Sequence, residues 1–381
     1  MKEFRVLCVL LVLMVGCQTV PQPLVESIKD GEFGILLRSP GLSPNGDGAF
    51  DTLELRPFFV SGTETLNWQI AILNETGTMV KTWEGDKKIP TSQFWDGKNQ
   101  SNQIVPDGTY KVRLTIRKGS VNPQSSETKP FVVDTQGPVN TLEFSPTNFT
   151  PDADGVEDTV EFKVNSKDGL SSVDTWSLEV FDPRETPVKR FFGIQHEKGV
   201  IVWDGKGDKG ESLESATDYV LKLNSRDSLG NQTILTKTLT TGILVFNDGN
   251  KLRIRINSIT FKPYTADFND VAPGEKKDNQ EVLKLLVDKL KTYPTLKIRL
   301  EGHAVQVFYD NPEKGAVEQR DILLPLSLAR SEAIQTALVQ MGIEKSRMST
   351  KGFGASMPIV PFSDFTNRWK NRRVEFILEN K

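Results

Sequence analysis

The sequence predicts a multidomain chain in which two all-β sandwiches precede an α/β domain, and three observations carry that prediction. The length of 381 residues suits several domains at about 100–200 residues each. A segment recurs: LSPNGDGAFDTLEL at 42–55 returns as FTPDADGVEDTVEF at 149–162, an offset of 107. Beyond residue 250 the apolar periodicity changes from 2 to 3.6, from strands to helices. With 37% hydrophobic and 25% charged residues each domain has material for a core, which excludes a mostly disordered chain and a multi-span membrane protein. Lys plus Arg is 47 against Asp plus Glu 50, for a net charge of −3, so no basic surplus points to a nucleic-acid partner. The only histidines are His196 and His303, and both cysteines, Cys8 and Cys17, lie near the N-terminus. That argues against a His/Cys metal enzyme or a thiol enzyme.

The N-terminus fixes the expected compartment. Lys2 and Arg5 precede the apolar run VLCVLLVLMV at 6–15, then Gly16 and Cys17. A bilayer span needs about 20 residues, so this run fits a secretory h-region. The small residue before a cysteine resembles the bacterial lipobox, with Met14 where lipoboxes usually carry leucine. On that resemblance 1–16 is a signal peptide and Cys17 the acylated first residue of the mature chain, held to a membrane by its lipid. A plain signal peptide that contains a cysteine is the alternative. Lipidation is preferred because Cys17 would be the only cysteine of an exported chain. Residues 17–34 then form a polar tether containing Pro21 and Pro23.

The repeat extends through each β-module, 35–137 and 138–243. Trp68 returns as Trp176, FWDG at 94–97 as VWDG at 202–205, and Tyr110 as Tyr219. Short alternating segments such as Trp68, Ile70, Ile72 and Trp176, Leu178, Val180 are separated by turn residues, as in an immunoglobulin-like sandwich. The tryptophans are expected as core plugs, because no cysteine pair staples the sheets. The SPNGDG opening and WDG closing stretches resemble the Ig-like modules of the flagellar hook-cap FlgD type and of bacterial secreted-surface proteins. Such modules serve as spacers or as adhesive domains.

The opening motif places Asn45, Asp47 and Asp51, and again Asp152, Asp154 and Asp158, at spacing 1-3-7 around Gly48 and Gly155. That spacing copies the first half of a calcium loop, without the bidentate glutamate that completes one. The competing reading is an Asx turn, in which Asn45 or Asp152 bonds its own backbone.

Residues 244–381 form the third domain. Arg253–Phe261 alternates as a strand, and a helix is expected from Asp278, with Glu281 completing a capping box and Val282, Leu283, Leu286 and Leu290 on one face. Leu296–Leu300 is a second strand. Ser327 is expected to cap a second helix, ended by Gly342, and Val374–Leu378 is the last strand. LKIRLEGHA (296–304), LSLARSEAIQTALVQMGI (326–343), RMSTKGFGASMPIVP (347–361) and NRRVEFIL (371–378) together resemble the OmpA-like domain of peptidoglycan-associated lipoproteins. The resemblance implies a βαβαβ-type fold in the periplasm that binds the peptide stem of peptidoglycan near its diaminopimelate residue.

Carried over residue by residue, the family arginine falls on Arg330, expected in the first helical turn as a carboxylate clamp. The family aspartate falls on Val305, so the partner of the ligand's ammonium is lost. Asp310 or Asp321, in the longer segment 306–325, could replace it. Asn371 and Arg372 border the expected site, Arg373 supports the sheet, and His303 is expected as a strand-end hydrogen-bonding residue. No GxSxG, SxxK, HExxH, P-loop or dinucleotide fingerprint occurs, so no enzyme is expected. The resulting expectation is an envelope lipoprotein, in the outer membrane facing the periplasm, tying membrane to wall with the β-modules as spacers. The alternative is an adhesin or assembly scaffold with envelope-protein partners, whose divergent third domain has left wall binding.

Overall fold

The computed structural model describes residues 33–59, 66–194 and 200–380; Cys17, the signal segment, most of the tether and His196 lie outside the described residues. The chain divides into two compact units, one of 33–42 and 52–133, the other of 43–51 and 134 onward.

In the first unit the period-2 pattern builds two sheets. Phe33–Leu37, Leu53–Phe59 and Gln93–Trp95 form one; Leu66–Asn74, Met79–Lys87 and Gly108–Lys118 form the body of the other. Their inward residues, among them Leu53, Leu55, Ile70, Ile72, Val112 and Leu114, are fully buried around Trp95. The Trp95 ring meets Phe131 nearly edge-on at 6.0 Å. Its Nε1–H donates to the Lys98 carbonyl at 2.8 Å.

The second unit repeats the plan. Val139–Ser145, Val160–Lys167 and Val200–Trp203 face a sheet of Val173–Phe181, Pro187–Ile194, Asp218–Asp227 and Gln232–Thr240. Trp203 Nε1 donates to the Lys206 carbonyl at 2.8 Å, matching Trp95 bond for bond. Trp95 and Trp203 are therefore the core plugs. Trp68 and Trp176 are half-buried instead. Each lies across a glycine of the next strand, Gly85 or Gly193, where a Cβ would stand 2.6 Å from the indole. The recurrence of glycine with tryptophan is thus a packing requirement, and these rings need no ligand to explain them.

The second unit continues into the α/β domain, whose elements we number β1 (Val245–Asp248), β2 (Lys251–Ile256), α1 (Pro273–Lys291), β3 (Lys297–His303), α2 (Pro312–Gln340), β4 (Met348–Gly354) and β5 (Val374–Glu379). Sheet order is β1-β2-β5-β3-β4, parallel only between β3 and β4. Val282, Leu283, Leu286 and Leu290 of α1 and Ile334 and Leu338 of α2 bury against Ile254, Ile298, Leu300 and Phe376.

Three local expectations are corrected. The strand expected to reach Phe261 leaves the sheet after Ile256. Helix α1 begins at Pro273 rather than Asp278, because proline suits the first turn and the Glu275 carboxylate accepts the Ala272 N–H at 3.1 Å. Ser327 caps nothing. Helix α2 starts fifteen residues earlier, at Pro312, where Asn311 accepts the Lys314 N–H, and runs through a π-helical stretch at Gln319–Leu323. Pro325 lies just beyond that stretch; lacking an N–H, it cannot continue a regular ladder, which accounts for the local π geometry. Ser327 is fully buried, with its hydroxyl donating to the Leu324 carbonyl and accepting the Gly354 N–H at 2.9 Å. By length and composition α2 is apolar enough to cross a membrane, and its inner face is committed to the sheet.

Candidate anion-binding site of the C-terminal domain

Arg330 projects from the middle of α2, so the expected help from free N–H groups at a helix start does not exist. A different arrangement positions it. Nε donates to the Thr265 carbonyl at 3.0 Å, and the guanidinium lies 4.8 Å from the centroid of the Phe261 ring. Both belong to the 257–272 connection, which is pinned by Asn279 of α1. Asn279 is 1% exposed; it accepts from Thr260 N and donates to the Thr260 and Phe268 carbonyls at 2.8–2.9 Å. Asn279 was not legible as a site residue, since its polar side chain on the helix's inner face is the only signal.

The electrostatics suit an anion. Burial, and then the neighbouring charge of Arg372, pull Arg330 down to about 10. The charges that bear on exposed Arg372 are likewise cations, Arg184 and Arg368. Arg372 thus stands between Arg330 and two further guanidinia, and the charge acting on Arg330 is a second cation. A carboxylate supplied from outside would relieve that repulsion and accept the charge-assisted bonds the fork offers.

The remaining expected residues divide. Asn371 is fully buried and committed to the 357–361 segment, accepting Ile359 N at 2.8 Å and donating to the Val360 carbonyl at 2.9 Å, so it is a scaffold for the site's border rather than a ligand contact. Asp321 pairs with Arg320 at the surface, 2.6 Å apart, and Asp310 is exposed. Neither turns inward. The acid of this segment that does is Glu318, 6% exposed, whose carboxylate accepts Val307 N and Phe308 N at 3.0–3.1 Å. Val305 itself is half-buried.

Behind the site, Arg373 takes its expected supporting role, with Nε 2.6 Å from Glu375 Oε1. Glu375 is fully buried and also meets Arg253 and Arg255. Burial alone would raise its pKa; Arg373 overrides that and draws it down to about 2. His303 ends β3 as expected, but among the described residues neither ring nitrogen has a hydrogen-bond partner. It stacks on Phe353, centroids 5.4 Å apart, and burial lowers its pKa to about 4.

The two repeated acidic loops fold as Asx turns. In the first, Asn45 Oδ1 accepts Asp47 N, Asp47 Oδ1 accepts Ala49 N, and Asp51 accepts the N–H groups of Gly46 and Gly48. In the second, Asp158 accepts Asp152 N, Ala153 N and Gly155 N, Asp154 accepts Val156 N, and Asp152 Oδ2 reaches Val245 N at 2.8 Å. The remaining oxygens meet Asp154 N and Lys289. Every carboxylate oxygen of the second triplet has a partner in the turn or in Lys289, and one oxygen from each of Asp152, Asp154 and Asp158 still lies within 4.8 Å of the others, so the Asx turns and the calcium reading share these residues.

Parts of the chain match known proteins. Residues 275–372 match the OmpA family, so the C-terminal domain is an OmpA-family domain, and residues 37–132 match the CHU_C Type IX secretion signal domain. Among similar proteins, the peptidoglycan-binding protein ArfA of Mycobacterium bovis is 25% identical over 55% of this chain and 60% of its own length. The peptidoglycan-associated lipoprotein of Agrobacterium fabrum is 30% identical over 29% of this chain and 57% of its own. The chain thus spans about three fifths of these curated relatives. The periplasmic domain of Helicobacter pylori MotB aligns with 36% of this chain and 78% of that one, at 19% identity and TM-score 0.29.

Proposed function

We propose that the chain is a non-enzymatic cell-envelope protein whose OmpA-family domain binds the peptide stem of peptidoglycan, tying a Cys17 lipid anchor to the wall with the β-sandwiches between. One observation carries the reading: Arg330 is a largely buried, precisely oriented cation whose charged neighbour is Arg372, a second cation. Arginine is rarely buried without a counter-charge, and the only charge acting on Arg330 among the described residues is another cation. Relatives named for peptidoglycan binding or association support the ligand, and the secretion-signal match at 37–132 supports an exported chain. The stem carboxylate would dock on Arg330, with Arg372 adding charge at the rim. No family aspartate stands at Val305 to hold the ammonium, and Glu318 is engaged by backbone N–H groups.

Co-sedimentation of the full chain with purified sacculi tests the reading: binding lost in Arg330→Ala is expected, and no binding by the wild type overturns it. Mass spectrometry of the mature protein tests the anchor, which requires an N-terminal lipid absent from Cys17→Ala. A scaffold that docks on an envelope protein is the second reading. It is favoured by the exposed apolar side chains of Val307, Phe308, Tyr309 and Phe365. In that case sacculus binding is absent while these residues are required for complex formation.

A further inference from the structure

Three carboxylates that no sequence motif connects come together near the start of the second unit. Asp134 opens the unit, Asp168 follows the strand Val160–Lys167, and Asp227 ends the strand Asp218–Asp227. One oxygen from each lies within 4.8 Å of the others. Asp134 is 2% exposed and Asp227 1%.

The surrounding backbone orients all three. Asp168 Oδ1 accepts Leu170 N and Ser171 N, each at 2.9 Å. Asp227 Oδ1 accepts Leu229 N and Asn231 N at 2.9 Å, while its Oδ2 accepts the Ser171 hydroxyl and the Asn231 amide at 2.7 and 2.8 Å. Asp134 Oδ1 accepts Gln136 N at 3.1 Å. Among the described residues its other oxygen, Oδ2, is buried with no hydrogen-bond partner of its own, since the nearby Ser171 hydroxyl is given to Asp227. Buried polar atoms are nearly always satisfied, and a buried carboxylate must be paired or protonated. Burial holds Asp134 above the usual carboxylate range against the pull of the Ser171 hydroxyl and the Gln136 N–H, with smaller additions from the charges of Asp168 and Asp227.

We propose that Asp134, Asp168 and Asp227 form a binding site for one hard divalent cation, calcium in preference to magnesium. All three donors are oxygen, and a calcium ion lies about 2.3–2.6 Å from each ligand, so two of its ligands can stand up to about 5 Å apart. The span observed here meets that limit. The donors come from three separate segments, already held by N–H groups; this irregular shell suits calcium better than the near-ideal octahedron magnesium demands. The cation would satisfy Asp134 Oδ2 and cancel the mutual repulsion. It would also tie Asp134, where the chain re-enters the unit, to the 168–171 and 227–231 loops. The Asn231 amide already reaches the Asp134 carbonyl at 3.0 Å, and Asn231 Oδ1 accepts the Ser43 hydroxyl at 2.6 Å.

The test is calorimetric titration of the chelator-treated full chain with calcium chloride, alongside Asp168→Asn and Asp154→Asn. Asp168 is half-buried, so its amide variant is the least disruptive of the three. One ion per chain is expected, with a Kd on the order of 0.1–1 mM. Affinity should fall about tenfold or more in Asp168→Asn and stay unchanged in Asp154→Asn. Should Asp168→Asn fail to fold, a rise in wild-type Tm on adding calcium, reversed by EDTA and retained in Asp154→Asn, supports the site. No binding and no Tm change at millimolar calcium overturns the proposal in favour of a shared proton. Loss in Asp154→Asn alone would move the site to the 152–158 loop and equally overturn it.

Discussion

Arg330 gives its Nε–H to the carbonyl oxygen of Thr265, 3.0 Å away, and through that bond a helix side chain is aimed by a loop rather than by its own helix. The loop is in turn held by Asn279 on α1. The direction of the guanidinium is therefore set by two layers of hydrogen bonds.

Asn279→Ala should weaken ligand binding without touching the ligand. Three buried hydrogen bonds are lost, leaving Thr260 and Phe268 backbone groups unpaired, at about 1–3 kcal/mol of stability. Urea unfolding should show that loss, and stem-peptide affinity should fall while Arg330 is still present. Unchanged affinity in a folded variant would show that the loop does not position Arg330.

Gly302→Ala should destabilise the domain strongly. A Cβ on Gly302 would stand 1.9 Å from the Ser327 carbonyl oxygen, so β3 and α2 could not keep their spacing. Overpacking typically costs about 1–3 kcal/mol, and a backbone clash this close belongs at the upper end. A thermal melt within error of wild type would contradict the packing.

His303 makes stability depend on pH. Its folded pKa, about 4, lies below the ordinary histidine value of 6.5, because burial and then Arg373 disfavour the imidazolium. The unfolded chain takes up the proton first, so the contribution is intact above pH 6.5 and is lost as pH falls towards 4. The loss amounts to about 3 kcal/mol in order of magnitude. His303→Phe, which keeps a ring against Phe353, should flatten the denaturation profile in that window. An unchanged slope would remove His303 as its source.

Much of this architecture was legible in the sequence because repetition and periodicity are local signals. The recurrence of Trp95 and Trp203 with their WDG turns predicted two matched sandwiches, and the stripe of Val282, Leu283, Leu286 and Leu290 found the buried face of α1. Helix starts were less legible. Pro273 and Pro312 carry the first turns, and Ser327, expected as a cap, lies inside what is one helix. The site was half legible. The family motif located Arg330, but Thr265, Phe261 and Asn279 meet it only in three dimensions, from segments that carry no motif. The acidic clusters divide in the same way: the spacing of Asp152, Asp154 and Asp158 is visible in one loop, while Asp134, Asp168 and Asp227 are scattered and meet only in the fold.

The central claim is that Arg330 clamps a carboxylate of the peptidoglycan stem, and calorimetric titration of the full chain with diaminopimelate-containing muropeptides tests it most directly. Removing one partner of a charge-assisted pair costs about 1.5–3 kcal/mol, so Arg330→Ala should bind roughly 10- to 150-fold more weakly than wild type. Val305→Asp, which restores an acid for the ligand's ammonium, should bind more tightly than wild type. Equal affinity of wild type and Arg330→Ala, or no binding by wild type and none restored by Val305→Asp, would contradict the account.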